Sequence, residues 1–375
     1  MLSKLENKLQ FLNSKSSVWS VIEDISNNKN QDEAFYVCDV GNIIEKYFNW
    51  KKFMPRVETY YAVKCNDHPL VLETLASLGI GFDCASQDEI SKILNLNVEP
   101  SRIIYANPTK PETHIKYAED VNVLRMTFDN AWELEKIKNS HPKAELILRI
   151  KYDDEKARYK YGCKFGCNHI TQAPELLARA KQLEIKVVGV SKIINEGINL
   201  HFSDPSIAIV AEPGTYYVES AFTIATRIHS ITVTEPDPTG LYTYMYYVYA
   251  GTYTTFLGLF FGEHYVPQAL NKNIYEKKYP TIIWGPTCDS SDKICENVNM
   301  PRMNIGDWIV FENVGAYTLT LATNFNGIPT PKVYGVVCEQ MWNELKDIMR
   351  VPQKFHLQMK ENVSQFLEKI VDMQQ

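Results

Sequence analysis

From about residue 59 to 214, short runs of β-branched and aromatic residues alternate with stretches whose apolar residues recur three and four apart. Runs of the first kind suit a pleated strand and stretches of the second an amphipathic helix, so the alternation predicts βα units around a parallel sheet. The predicted strands are 60–64, 81–85, 103–106, 123–128, 146–150, 187–191 and 207–211, with predicted helices at 69–78, 88–95, 132–139 and 174–183. This is the pattern of an α/β barrel, whose sites gather at the carboxyl ends of the strands, and Lys64, Asp83 and Glu212 all fall at such ends. Past residue 218 the texture changes to aromatic-rich runs with no helices between them, at 221–233, 242–249, 281–284, 308–311 and 332–337, which predicts an antiparallel β domain. The expected organisation is a barrel domain over 40–218, a β-rich domain over 219–345 to which 1–39 contribute, and a helical tail over 346–375 joined across Pro352.

The barrel is short. An eight-stranded barrel takes roughly 250 residues, and the pattern offers seven strands in a smaller span. The deficit lies between Ser191 and Ile207, where the intervening residues suffice for one helix-like piece, 193–202. A missing strand leaves an open edge and prevents closure, so failure to fold stably is one expectation.

Composition narrows the partners. With 45% hydrophobic and 22% charged residues in 375, the chain is ordinary globular material of two-domain size. Its formal net charge of -6 and dispersed Lys and Arg exclude a basic nucleic-acid footprint. The charged start Met1-Leu2-Ser3-Lys4-Leu5-Glu6-Asn7-Lys8 leads into no sustained apolar run, so neither a secretory signal nor a membrane span is expected and the cytoplasm is the expected location. The eight cysteines are scattered, as expected of reduced, mostly buried thiols. Cys163, Cys167 and His169 alone approach metal-ligand spacing and have no second half, so no metal is expected.

The chemistry concentrates on Lys64, which ends the apolar run Tyr60-Tyr61-Ala62-Val63 and precedes Cys65-Asn66. A lysine at a strand end is ordinarily a solvated residue; presented from an apolar run it can also hold an aldehyde as a Schiff base. Downstream stand Phe82-Asp83-Cys84-Ala85-Ser86, Ala211-Glu212-Pro213-Gly214, Trp284-Gly285-Pro286-Thr287-Cys288-Asp289 and Gly315-Ala316-Tyr317. In this order the motifs resemble the fold-type III, pyridoxal-phosphate-dependent decarboxylases, in particular the ornithine decarboxylases and their inactive relatives, the antizyme inhibitors.

The resemblance implies pyridoxal 5'-phosphate as cofactor and an amino acid decarboxylated to an amine in polyamine biosynthesis, putrescine from ornithine within the family. On that basis Lys64 matches the lysine that holds the aldehyde, Glu212 the acid on the pyridine nitrogen, and Arg149 an arginine near the cofactor with Asp83 as its ionic partner. Tyr317 matches a hydroxyl on the phosphate. Cys288 and Asp289 match residues that reach the active site from a neighbouring subunit, the thiol returning a proton to the substrate carbon and the carboxylate binding its distal amine. Lys164 and Asp292 match an ion pair between subunits, and together these matches imply a head-to-tail homodimer.

Four departures modify the expectation. Thr215 stands where the family has arginine, and both a glycine-rich phosphate turn and a ring-stacking histidine are missing. Each charge-assisted hydrogen bond contributes about 1.5–3 kcal/mol, so weakened cofactor binding is expected. Where the family has a Tyr-Asp-His run, this chain has Phe260-Phe261-Gly262-Glu263-His264, which removes a carboxylate for the distal amine and points to an apolar substrate. Thr113-His114-Ile115-Lys116-Tyr117-Ala118 and the segment around Glu133-Leu134-Glu135-Lys136 resemble the antizyme-binding surface, so the alternative is a catalytically inactive regulator that binds antizyme.

Overall fold

The computed structural model describes residues 2–28, 30–151, 163–191, 208–238, 240–272 and 275–349. The chain opens with α1 (Leu2–Glu6), β1 (Leu9–Leu12), α2 (Val18–Ser26), β2 (Phe35–Asp39) and α3 (Val40–Phe53). There follow β3 (Val57–Ala62), α4 (Pro69–Ser77), β4 (Gly81–Cys84), α5 (Gln87–Leu94), β5 (Ile103–Tyr105) and α6 (Glu112–Asp120). Next come β6 (Arg125–Phe128), α7 (Ala131–Ser140), β7 (Glu145–Arg149), α8 (Gln172–Gln182), β8 (Lys186–Ser191) and β9 (Ile209–Ala211). After α9 (Thr215–Val218) run β10 (Phe222–Val233), β11 (Tyr244–Val248), β12 (Pro267–Ala269), β13 (Lys278–Trp284) and β14 (Lys293–Pro301). β15 (Trp308–Phe311), β16 (Lys332–Cys338) and α10 (Glu339–Met349) complete the described chain. These residues form two compact units, one from the described parts of Phe53–Lys64 and Ile80–Pro213, the other from those of Met1–Lys52, Cys65–Gly79 and Gly214–Gln375.

The first unit is a seven-stranded sheet in the order β8-β7-β6-β5-β4-β3-β9, every neighbouring pair parallel. Every strand read from the alternating runs is present with shifted ends, although Ile207 and the helix-like stretch 193–202 lie outside the described residues. Among the described residues β8 and β9 do not pair, so the sheet is an open half-barrel. The helices start where the sequence supplies caps: the Ser86 side chain accepts the Glu89 amide before α5, and Asn130 that of Glu133 before α7. Gly81 pairs with Tyr60, and a Cβ at Gly81 would sit 2.5 Å from the Tyr60 ring, so glycine lets β4 lie against that ring. Arg125 Nη1 of β6 donates to the Tyr60 hydroxyl of β3 at 2.7 Å, spanning two intervening strands.

The second unit is the expected β domain, its sheet mixing parallel pairs with the antiparallel ones. β1 with β16, β16 with β2, and β11 with β13 are parallel pairs, while β2, β11 and β15 each run antiparallel to β10. The β1–β16–β2 parallel pairs arise because the amino-terminal strands join a strand formed some three hundred residues later, where no short hairpin dictates direction. β10 is long enough to pair with β2 and β15 along its first half and with β11 along its second, past an irregularity between Ile228 and Ser230. Its core gathers Leu12, Ile22, Phe35, Ala225, Trp308 and Val336, all buried. The terminal helix starts at Glu339, directly after β16, ahead of the expected boundary at 346; residues beyond 349 lie outside the described chain.

Candidate active site

Parallel strands deliver their carboxyl ends to one side, and the first unit places four of the expected residues there. β3 ends at Ala62, two residues before the end read from the sequence, and a 3-10 turn, Val63–Cys65, carries Lys64 past the strand end. β3 pairs Ala62 with Asp83 of β4, which sets the lysine beside that carboxylate. β7 ends in Arg149. β9 ends at Ala211, and the Ala62 amide donates to the Pro213 carbonyl at 3.2 Å, so Glu212 lies between two backbone ties to β3.

Lys64 Nζ is 2.6 Å from Asp83 Oδ2, with side chains 45% and 3% exposed. The cation is therefore reachable while its partner is not. Asp83 Oδ1 is buried with no hydrogen-bond partner. Burial raises the Asp83 carboxyl above the usual range, and the charges of Lys64 and Arg149 pull it back. Glu212 is exposed as a residue while its carboxyl is closely surrounded. That burial, with the Asp83 charge adding, pushes its carboxyl up to about 7 against the pull of Lys64 and Arg149. Arg149 lies over the Phe165 ring, 5.4 Å from its centroid, and Lys164 Nζ lies 5.0 Å from the same centroid.

The second unit carries the remaining expected residues. Cys288 is exposed with a free thiol. Asp289 accepts the Tyr253 hydroxyl with one oxygen and the Ser291 amide with the other, at 2.8 Å, and the first of these holds its carboxyl below the usual range. The Tyr253 ring packs against Phe325 at 4.7 Å and Phe260 at 6.1 Å, so this carboxylate stands at the rim of an aromatic surface. Sequence reading missed Tyr253; the fold alone brings it to a residue 36 positions away. Tyr317 adopts φ +52, a left-handed conformation costly for an aromatic residue, and its amide donates to the Cys65 carbonyl at 2.9 Å. Asp292 is fully buried, its oxygens accepting the amides of Thr252 at 2.6 Å and Thr287 at 2.9 Å and the Thr287 hydroxyl at 2.7 Å. The residue matched to an intersubunit ion pair is thus spent organising its own loop.

Among the described residues the donor set fits two parts of pyridoxal phosphate. Lys64 offers an accessible amine for the aldehyde, with the orphaned Asp83 oxygen beside it, and Glu212 offers an acid for the ring nitrogen. Lys64 and Arg149 both act on the two carboxylates, and Lys164 shares the Phe165 ring with Arg149.

Residues 40–194 match the model of the pyridoxal-binding domain of pyridoxal-dependent decarboxylases. The chain is 39% identical over 395 residues to ornithine decarboxylase of Mus pahari, covering 87% of this chain and 85% of that one. It is 34% identical over 410 residues to antizyme inhibitor 2 of Xenopus laevis, covering 92% and 89%. Among solved structures, the arginine decarboxylase of Paramecium bursaria Chlorella virus bound to agmatine is 32% identical with a TM-score of 0.80, covering 85% of this chain and 100% of that one. An alignment of 395 positions that uses 87% of a 375-residue chain leaves positions of the relative without a counterpart here. By identity and coverage alike, the chain belongs to the family of pyridoxal-dependent decarboxylases in which ornithine decarboxylase and the antizyme inhibitors stand.

Proposed function

We propose that this chain is a cytoplasmic, homodimeric amino-acid decarboxylase built on residues 40–218 and 219–345, which binds its pyridoxal cofactor weakly and prefers an apolar substrate to ornithine. The observation that carries the reading is Lys64 held on buried Asp83 at the carboxyl ends of a parallel sheet, with Glu212 acting on the same pair. Consistent with a cytoplasmic protein, no helix among the described residues is long and apolar enough to cross a membrane.

A bound pyridoxal cofactor supplies an electron sink for the bond to the departing carboxylate. The protein's part is positioning and proton handling. Asp83 holds Lys64 as an ammonium and can take its proton, which frees the amine. Glu212, with its carboxyl raised towards neutrality, holds a proton at the ring nitrogen. Arg149 keeps both carboxylates from drifting further towards neutrality. Cys288, exposed, returns a proton to the substrate carbon from the neighbouring subunit. Asp289 already accepts two hydrogen bonds beside three aromatic rings, an arrangement suited to an aliphatic side chain rather than a second amine.

Absorbance of the purified protein titrated with pyridoxal phosphate tests the reading. A lysine-dependent band present in the native chain and absent from Lys64→Ala is expected; identical spectra from two folded proteins would overturn it. A second reading, a regulator that binds antizyme, draws on α7, where Trp132 is 84% exposed beside the helix pair matched to the antizyme surface, and on the antizyme inhibitor relative. Loss of antizyme capture in Trp132→Ala, with no lysine-dependent band in either protein, would favour it.

A further inference from the structure

The Lys64 side chain is 45% exposed, so where its amine lies depends first on the backbone it leaves from. That backbone is the 3-10 turn Val63–Cys65, and the residues at its exit are closely held. Cys65 is fully buried, and its carbonyl accepts the Tyr317 amide at 2.9 Å and the Thr320 hydroxyl at 3.3 Å. Asn66, also fully buried, uses both ends of its side-chain amide. Its Oδ1 accepts the His68 amide at 3.0 Å, and its Nδ2 donates to the Gly315 carbonyl at 2.8 Å. The opposite orientation would set oxygen against oxygen and N–H against N–H, so these partners fix which way the amide faces. The bond to His68 serves the start of α4; the bond to Gly315, 249 residues away, does not. The Gly315 carbonyl is itself a rigid acceptor, because the amides of Val314 and Gly315 donate to the Phe222 and Glu219 carbonyls at 3.1 and 3.0 Å. A Cβ at Gly315 would overlap the Val218 carbonyl oxygen, so only glycine lets the loop lie this close.

We propose that Asn66, seconded by Thr320, is a positioning residue for Lys64. Together they clamp the chain one and two residues beyond the lysine and so set the direction from which its amine meets an aldehyde. The clamp lies within the second unit and reaches Lys64 along the chain, through the peptide bonds to Cys65 and Asn66. The inference rests on the reading of Lys64 as the aldehyde-holding residue. Bond formation is sensitive to such placement, and an error of about 1 Å costs on the order of a hundredfold in rate. In the step concerned the Lys64 nitrogen forms a C=N bond to the aldehyde carbon. The carbonyl oxygen leaves as water with two hydrogens from the amine, so no oxidant or reductant enters.

Labelling resolved by residue tests this. The full chain is mixed with pyridoxal phosphate, samples are quenched with borohydride at intervals, and the label on each lysine is quantified by mass spectrometry. Lys186, with its exposed side chain, is the reference, and the buried Cys38 thiol, probed with a maleimide, reports unfolding of the second unit. Asn66→Asp keeps the acceptor for the His68 amide and sets a carboxylate against the Gly315 carbonyl. Labelling of Lys64 relative to Lys186 should slow at least tenfold with Cys38 still protected, a local change that general loosening of the fold does not produce. A ratio unchanged within twofold would overturn the inference and leave Lys64 as the aldehyde-holding residue. Native Lys64 labelled no faster than Lys186 would overturn that reading, and the inference with it. Should Cys38 become reactive in Asn66→Asp, Thr320→Val decides, since it removes one hydroxyl from a half-buried residue. A threefold or greater slowing at Lys64 is then expected, and an unchanged ratio would overturn the inference.

Discussion

Lys64 Nζ sits 2.6 Å from Oδ2 of Asp83, and the other oxygen of that carboxylate, equally enclosed, meets no donor. The pair is asymmetric, since the cation is accessible and the anion is not. Breaking it from the anion's side removes a buried charge and leaves only a reachable ammonium. Asp83→Asn should therefore change folding stability by less than about 1 kcal/mol or raise it slightly, unlike the usual penalty for breaking a buried pair. Urea denaturation at neutral pH measures this, and a loss well beyond that would show that Lys64 depends on Asp83 for the fold itself.

The carboxyl of Glu212, raised from 4.5 to about 7, gives a signed pH dependence. Between those values the folded chain keeps a proton that the unfolded chain has lost, so this group's contribution to stability falls as pH rises through the window. Glu212→Gln should flatten that part of the profile. Urea midpoints of the two proteins at intervals from pH 4.5 to 7 should converge at the acid end and diverge towards neutrality in favour of the variant; a constant difference would contradict the assignment.

A third expectation concerns α7. Lys110 is fully buried, 2.9 Å from Glu133, donates to the Thr127 carbonyl at 2.6 Å, and has its ammonium pushed down to about 8 by burial. Glu133→Gln leaves that ammonium without its counter-ion and should cost about 3–5 kcal/mol. Adding Lys110→Met should recover at least half of the loss. A double variant no better than the single one would show that packing, rather than charge pairing, fixes this corner.

Freeing Asp289 should change substrate choice. Tyr253→Phe removes the hydroxyl that holds the carboxylate below its usual range and keeps the ring packing. The ratio of kcat/KM for ornithine over leucine should rise several-fold, since an unengaged carboxylate can receive a distal amine. An unchanged ratio would place Asp289 away from the substrate side chain.

The half-barrel was legible because each strand is bounded by turn residues and followed by a helical period, so Lys64, Asp83, Arg149 and Glu212 could be placed at strand ends without knowing which strands are neighbours. β14 escaped because Lys293-Ile294-Cys295-Glu296-Asn297-Val298-Asn299 has no clean alternation, and Asn297, with φ +58, breaks the pleat. The parallel pairs of the second sheet escaped because direction there is set by partners distant in sequence. Tyr253 and Asp289 meet only through loop geometry, which no local pattern encodes.

β9 holds three residues, paired on one side to β3 and unpaired on the other among the described residues. The strand that delivers Glu212 is thus secured by a handful of backbone bonds at the margin of the sheet, whereas Asp83 rides on a central strand. Such margins open at a fraction of the free energy of global unfolding. The acid can therefore leave its place while the lysine and its carboxylate stay put, and the competent population of the site is set by fraying at one short edge. Amide exchange should register this as fast protons at Ile209–Ala211 against slow ones at Gly81–Cys84.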